Sequence, residues 1–205
     1  PVEFPLLVRL PGWCRQPALT VDGARVEVGT PGTFQRLRRR WEGRTEVMLD
    51  LPMAARLEPR PNGAVSLLRG PLVYALPIGE QWRRTHHDHP HRELPHADWE
   101  VHPTSAWNWA LQVSPPTLEA DVRFTERPLG EMVFARETPP VTATVQGRRV
   151  PGWTAPNGSA QATPASPVSC AEPPEPLELI PYGSARLRIA EFPVAPAPEE
   201  PSPST

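Results

Sequence analysis

The sequence predicts an all-β protein of two antiparallel β-sandwiches, jelly-roll-like, joined through a polar linker. Three observations predict it. Apolar residues at helical spacing are nearly absent along the 205 residues. Short apolar runs recur instead, each stopped by Pro or Gly. Proline supplies 31 residues, roughly three times its usual share. Each proline fixes φ and removes a backbone donor, so long helices through these stretches are broken.

The elements follow in order. "EFPLLVRLP" reads as a strand ended by Pro11-Gly12. "ALTVDGARVEV" sets Leu19 and Val21, then Val26 and Val28, around Asp22-Gly23. That pair accepts the positive φ of a two-residue hairpin turn. "TFQRLRRRWEGRTEVMLDLPM" gives two strands broken at Gly43. The first carries Phe34, Leu37 and Trp41 around a basic ribbon, and the second alternates Val47, Leu49 and Leu51 with Met48 and Asp50. "AVSLLRGPLVYALP" gives a strand, a Gly70-Pro71 kink and a continuous apolar run, Leu72 to Leu76, expected to be buried on both faces. Composition changes after Pro77: residues 79–97 are polar, histidine-rich and nearly devoid of aliphatics, the character of a linker. "WEVHPTSAWNWALQV" opens a second strand-rich part. "EMVFARETPPVTATVQGRRVPGW" reads as two strands with a turn at Gln146-Gly147, and "TAPNGSAQATPASPVSC" as a surface loop. "LELIPYGSARLRIAEFP" closes with two short strands about Pro181-Tyr182-Gly183. The expected layout is a first sandwich over 1–78, a linker over 79–97, a second sandwich over 98–194, and a disordered Pro/Glu/Ser tail over 195–205.

Charge and hydropathy exclude some functions. The formal net charge of -2 gives no overall basic field, which argues against nucleic acid as a partner. All basic residues are arginine. No apolar run approaches the roughly 18 residues of a membrane helix, and the first residues lack the pattern of a signal peptide. Without an initiator Met, the chain is expected to start inside a larger protein. The two cysteines, Cys14 and Cys170, stand far apart and outside any C-x-x-C pair, so they read as small packing thiols.

Seven stretches then carry a resemblance: "LLVRLPGWC", "VDG", "RRRWEGRTEVMLDLPM", "LLRGPLVYAL", "ADWEVHPTSAWNWAL", "ASPV" and "LELIPYGSARLRIAEFP". In this order, over residues 1–193, they resemble the C-terminal β-sandwich region of glycoside hydrolase family 127, the β-L-arabinofuranosidase-like proteins. The family's Trp-Asn-Tyr block carries Trp109 in its third place here. The resemblance implies a helical (α/α)6 barrel with the active site, followed by two β-sandwiches, of which only the sandwich part is present and the first is cut short at its N-terminus. It implies a zinc site of cysteines and a glutamate in that barrel, one cysteine being the nucleophile. No catalytic, cofactor-binding or metal residue carries over to this chain. The partners implied are the family's own barrel, a second copy as a homodimer, and arabinose-containing glycans.

Three groups of residues have the composition of a site. Asp98 and Glu100, or Glu42 and Glu46, would share a strand face as a carboxylate pair, yet neither spacing distinguishes them from surface charge. His86, His87, His89 and His91 with Asp88 offer enough donors for a metal, but in a flexible loop they read as linker, and a pH-responsive role has no visible two-state element to act on. Among the tryptophans, Trp13, Trp41, Trp107 and Trp109 read as core fillers and Trp82 as the exposed one, the residue a sugar-binding module would use. Arg36, Arg38, Arg39 and Arg40 read as a solvated face, or as one that meets an acidic patch on the barrel.

Overall fold

The computed structural model describes residues 1–196. Residues 197–205 of the expected tail lie outside the described residues. The protein is all-β apart from one helical turn and short 3-10 turns, and the chain divides into two compact units.

The first unit comprises Pro1–Ala55 with Arg69–Pro71. It holds β1 (Val2–Arg9), β2 (Ala18–Val21), β3 (Ala24–Val26), β4 (Phe34–Trp41) and β5 (Val47–Asp50). β1 and β4 form an antiparallel ribbon, and β3, β2 and β5 form a three-stranded sheet in that order. The ribbon register sets Leu6 opposite Leu37 and Val8 opposite Gln35. Alternation along each strand sends Leu6, Val8 and Leu37 to one face. There they pack on Leu19, Val21, Val26, Val47 and Leu49. The hairpin turn is the expected one, with Asp22 at φ 51° and Gly23 at φ 78°. The other face of the ribbon is outward and carries Arg36, Arg38 and Arg40, with Leu7 and Phe34 exposed among them.

The second unit comprises Arg56–Leu68 and the chain from Leu72 onward. Its strands are β6 (Ala55–Pro59), β7 (Val65–Arg69), β8 (Leu72–Pro77), β9 (Glu80–Thr85), β10 (Asp98–Pro103), β11 (Trp109–Leu111), β12 (Val122–Glu126), β13 (Val141–Arg149), β14 (Glu175–Pro181) and β15 (Arg188–Ile189), with α1 at Leu118–Asp121. An eight-stranded sheet runs β11-β13-β14-β8-β7-β6, with β12 paired to β13 and β15 to β8. Tyr74, Leu67, Leu111, Val145, Leu179 and Phe192 are fully buried on it. Phe192 is fastened by two backbone hydrogen bonds to Val65, at 2.8 and 2.9 Å. No helix among the described residues is long and apolar enough to cross a membrane.

Several expectations differ from what is observed. The division falls at Ala55 and Arg56 rather than at residue 78, because β6 and β7 belong to the larger sheet. The stretch expected as a linker, 79–97, begins as β9 and turns back through 86–97 into β10, so it is a hairpin. Of the continuous apolar run, Tyr74, Ala75 and Leu76 are buried while Leu72 and Val73 are half-buried. β6, β12 and α1 were not foreseen, and residues 131–137 form no strand. Ala195, placed in the tail, is buried and donates its N–H to Leu111 O at 2.9 Å.

Gln146-Gly147 is not a turn but the interior of β13, where Gly147 faces Leu111 on one side and Glu175 on the other. A Cβ there would run into Leu177 Cδ1 and lie 2.9 Å from its Cγ and 3.3 Å from Ala110 O. Leu177 is itself buried. Gly147→Ala is therefore expected to destabilise by about 1–3 kcal/mol through overpacking. Chemical denaturation reads this, and an unchanged midpoint would mean Leu177 can move aside freely.

Candidate functional site

β9 and β10 set up the most functional-looking surface. Their register pairs Trp82 with Val101 and Arg84 with Trp99, so alternation puts Glu80, Trp82, Arg84, Trp99 and Val101 on one face. Trp82 is 41% exposed and Trp99 45%. Their rings meet edge to face with centroids 6.1 Å apart.

Glu80 is the anchor of this surface. Its side chain is 11% exposed, and three donors reach it. Arg136 Nη1 lies 2.7 Å and Leu187 N–H 3.0 Å from Oε1, and Trp82 Nε1 donates to Oε2 at 3.0 Å. Arg136 also donates to Ile78 O at 2.8 Å. Burial pushes the Glu80 carboxyl upward, but the Leu187 and Trp82 hydrogen bonds and the Arg136 and Arg186 charges outweigh it, and the net shift is downward. A carboxylate held ionised and occupied by three donors is not poised to give a proton. Its chemistry is positional: it fixes the Trp82 indole and ties β9 to the 129–137 loop and to Leu187.

Beside it lies a groove of about 380 Å³ lined by Trp82, Phe134, Arg136, Glu137 and Arg186 among others. The Arg186 guanidinium sits 5.1 Å over the Trp82 ring. Gly183, of the Pro-Tyr-Gly block, packs against Phe134, and Tyr182 carries Arg188 at 3.6 Å. Sequence reasoning foresaw Trp82 as exposed but missed Glu80, Trp99 and the groove. The period of two in Glu80-x-Trp82-x-Arg84 was the signal available.

The histidine segment folds as successive turns, with His86 and His91 at positive φ. His86 Nδ1 lies 3.1 Å from Asp98 Oδ2, Arg92 Nε lies 2.9 Å from the same oxygen, and the His86 and His89 rings stack at 5.0 Å. Among the described residues no three His, Cys, Asp or Glu side chains converge for a metal. Asp98 and Glu100 do share a face of β10, but each is engaged by a cationic or imidazole neighbour, Glu100 by His102 at 3.1 Å. Glu42 and Glu46 lie outside the strands in the β4–β5 connection, so they share no strand face.

The zinc that the resemblance implies does not fit the thiols here. Cys14 and Cys170 are both free. Cys14 is wholly buried. At Cys170 burial raises the thiol above its ordinary range despite Arg148, which disfavours the thiolate a metal needs. Of the tryptophans expected in the core, Trp109 is buried, whereas Trp13, Trp41 and Trp107 are half-buried. Trp153, fully packed, meets Trp107 at 5.0 Å. Asn108, between Trp107 and Trp109, is a buried clamp: Nδ2 donates to Val150 O at 2.9 Å and Trp153 O at 3.0 Å. In the first unit Arg36, Arg38 and Arg40 point outward, while Arg39 turns to the other face, over Trp41 and 3.4 Å from Asp22.

The all-β architecture and the aromatic groove define a class of β-sheet chain, and comparison with known proteins shows what it is similar to. Residues 1–53 match the model described as beta-L-arabinofuranosidase, GH127 middle domain. The chain therefore resembles the β-sandwich region of glycoside hydrolase family 127. The matched model is the family's middle domain, whereas the sequence blocks pointed to its C-terminal region. Three solved structures share the fold. One is described as a glycoside hydrolase, at 22% identity and TM-score 0.54, covering 95% of this chain and 28% of that one. A second is a GH127 beta-L-arabinofuranosidase from Geobacillus stearothermophilus T6, at 23% identity and TM-score 0.51, covering 89% and 24%. A third, described as a GH127 beta-arabinofuranosidase, has 17% identity and TM-score 0.56, covering 94% and 28%. The chain thus spans about a quarter of the length of the structures it matches. No curated protein matches it.

Proposed function

We infer that this chain is a non-catalytic β-sandwich portion of a glycoside hydrolase resembling family 127, one that packs beside a helical catalytic barrel and stabilises it. The observation that carries the reading is the match of an all-β segment, residues 1–53, to the model described as the GH127 middle domain. The outward face of the β1–β4 ribbon suits the role. One end carries the exposed Leu7 and Phe34, and Arg9, Arg36, Arg38 and Arg40 outnumber the single acid Glu3 on the same face, a net basic surface with an apolar patch that fits an acidic protein surface.

The expected result is that the purified chain, supplied with zinc and reductant, does not turn over an aryl β-L-arabinofuranoside above the buffer rate. Turnover that survives Cys14→Ser and Cys170→Ser would sink the reading.

A further inference from the structure

We propose that the groove between β9 and the 132–137 segment is a binding subsite for a neutral sugar ring. This stands independently of the supporting role, since a chain that binds no sugar can still brace a barrel. The groove's volume, about 380 Å³, falls in the roughly 300–1,000 Å³ range of small-molecule sites. Its walls combine the two features a sugar requires. Trp82 and Phe134 are 41% and 54% exposed, and their flat faces suit the C–H face of a pyranose or furanose. Arg186 and Glu137 supply N–H donors and carboxylate acceptors on the same rim. Among the described residues neither side chain makes a hydrogen bond or ion pair with the protein. Arg186 lies over Trp82, a contact of about 0.5–1 kcal/mol at an exposed site, and acts on Glu80 through charge alone, so it is easily redirected to a hydroxyl.

The charges decide the class of ligand. Two carboxylates, Glu80 and Glu137, face two guanidiniums, Arg136 and Arg186, and they cancel. An anionic ligand gains no net field there, and a purely apolar one would strip water from Arg186 and Glu137 without replacing it. A neutral polyol satisfies both. The Trp82 wall is preorganised because Glu80 holds its Nε1 at 3.0 Å and is itself held by Arg136 and Leu187, which lowers the ordering cost of binding.

The test is titration of the full chain with L-arabinose, a neutral arabino-oligosaccharide, cellobiose and glucuronate, read by saturation-transfer NMR and tryptophan fluorescence. At least one neutral sugar is expected to bind with Kd on the order of 1 mM. Trp82→Ala, Arg186→Gln and Glu137→Gln should each weaken it by about tenfold or more, near 1.4 kcal/mol, while Arg15→Gln, exposed on the other unit, leaves it unchanged. Arg186 and Glu137 are exposed, so their variants keep the test decisive if Trp82→Ala fails to fold. No saturation transfer to any neutral sugar, undiminished binding in both the Arg186 and Glu137 variants, or preference for glucuronate would overturn the proposal.

Discussion

Replacing Asn108 by alanine is expected to lower stability by about 2–4 kcal/mol, because the buried Trp153 carbonyl loses its donor and the Val150 carbonyl is left with the Trp153 N–H alone. Asn108 sits 8% exposed between two indoles. Its side-chain amide reaches Val150 O and Trp153 O, while its backbone carbonyl accepts the Val150 N–H at 2.9 Å. The 150–153 turn it closes presents Trp153 to a cluster with Ala110, Val150 and Ala195. Thermal melting should show a drop of roughly 5–15 °C. Asn108→Asp should be no better than alanine, since a carboxylate cannot donate to either carbonyl. An aspartate variant as stable as the parent would show that the amide donors carry no weight. The Trp-Asn-Trp stretch that helped to mark the resemblance is, on this account, a structural clamp.

What could be read in advance depended on whether a residue's partners are near in sequence. Asp22-Gly23 announced its hairpin because the turn's demands are met within two residues. β1, β4, β5, β7 and β8 were legible from short apolar runs or alternation bounded by Pro or Gly. Gly147 misled for a physical reason: a glycine punctuating a strand signals either a turn or a close approach, and the approaching side chain, Leu177, is supplied by β14. The histidine stretch misled because its composition is that of a linker. Its backbone is nonetheless fixed by β9–β10 pairing, which a single aromatic in each half could not reveal. Trp82 was legible as exposed from its polar surroundings, but its contact with Trp99 needed the hairpin register. Glu80 was invisible as an anchor, since Arg136 and Leu187 lie 56 and 107 positions away.

That anchor carries the other large effect. Glu80→Ala is expected to cost about 3–5 kcal/mol at neutral pH, the range for breaking a mostly buried ion pair by removing one partner. Arg136 is 31% exposed and recovers some hydration, which favours the lower end. The pH dependence has a definite sign. With its folded pKa lowered, Glu80 contributes stability that is fully present above the unfolded carboxyl value, about 4.3. That stability is lost as pH falls through the lower folded value. The gap between the parent and Glu80→Ala should therefore be widest at neutral pH and narrow progressively on acidification below about 4.3. Glu80→Gln keeps the shape and one acceptor but not the charge, so it should be less damaging than alanine and still lose the parent's acid sensitivity. Urea denaturation of the three proteins across this range measures both effects. Acid limbs that run parallel in all three would show that Arg136 and Leu187 are held by something other than this carboxylate. The Trp82 wall of the groove would then have to be positioned by the hairpin alone.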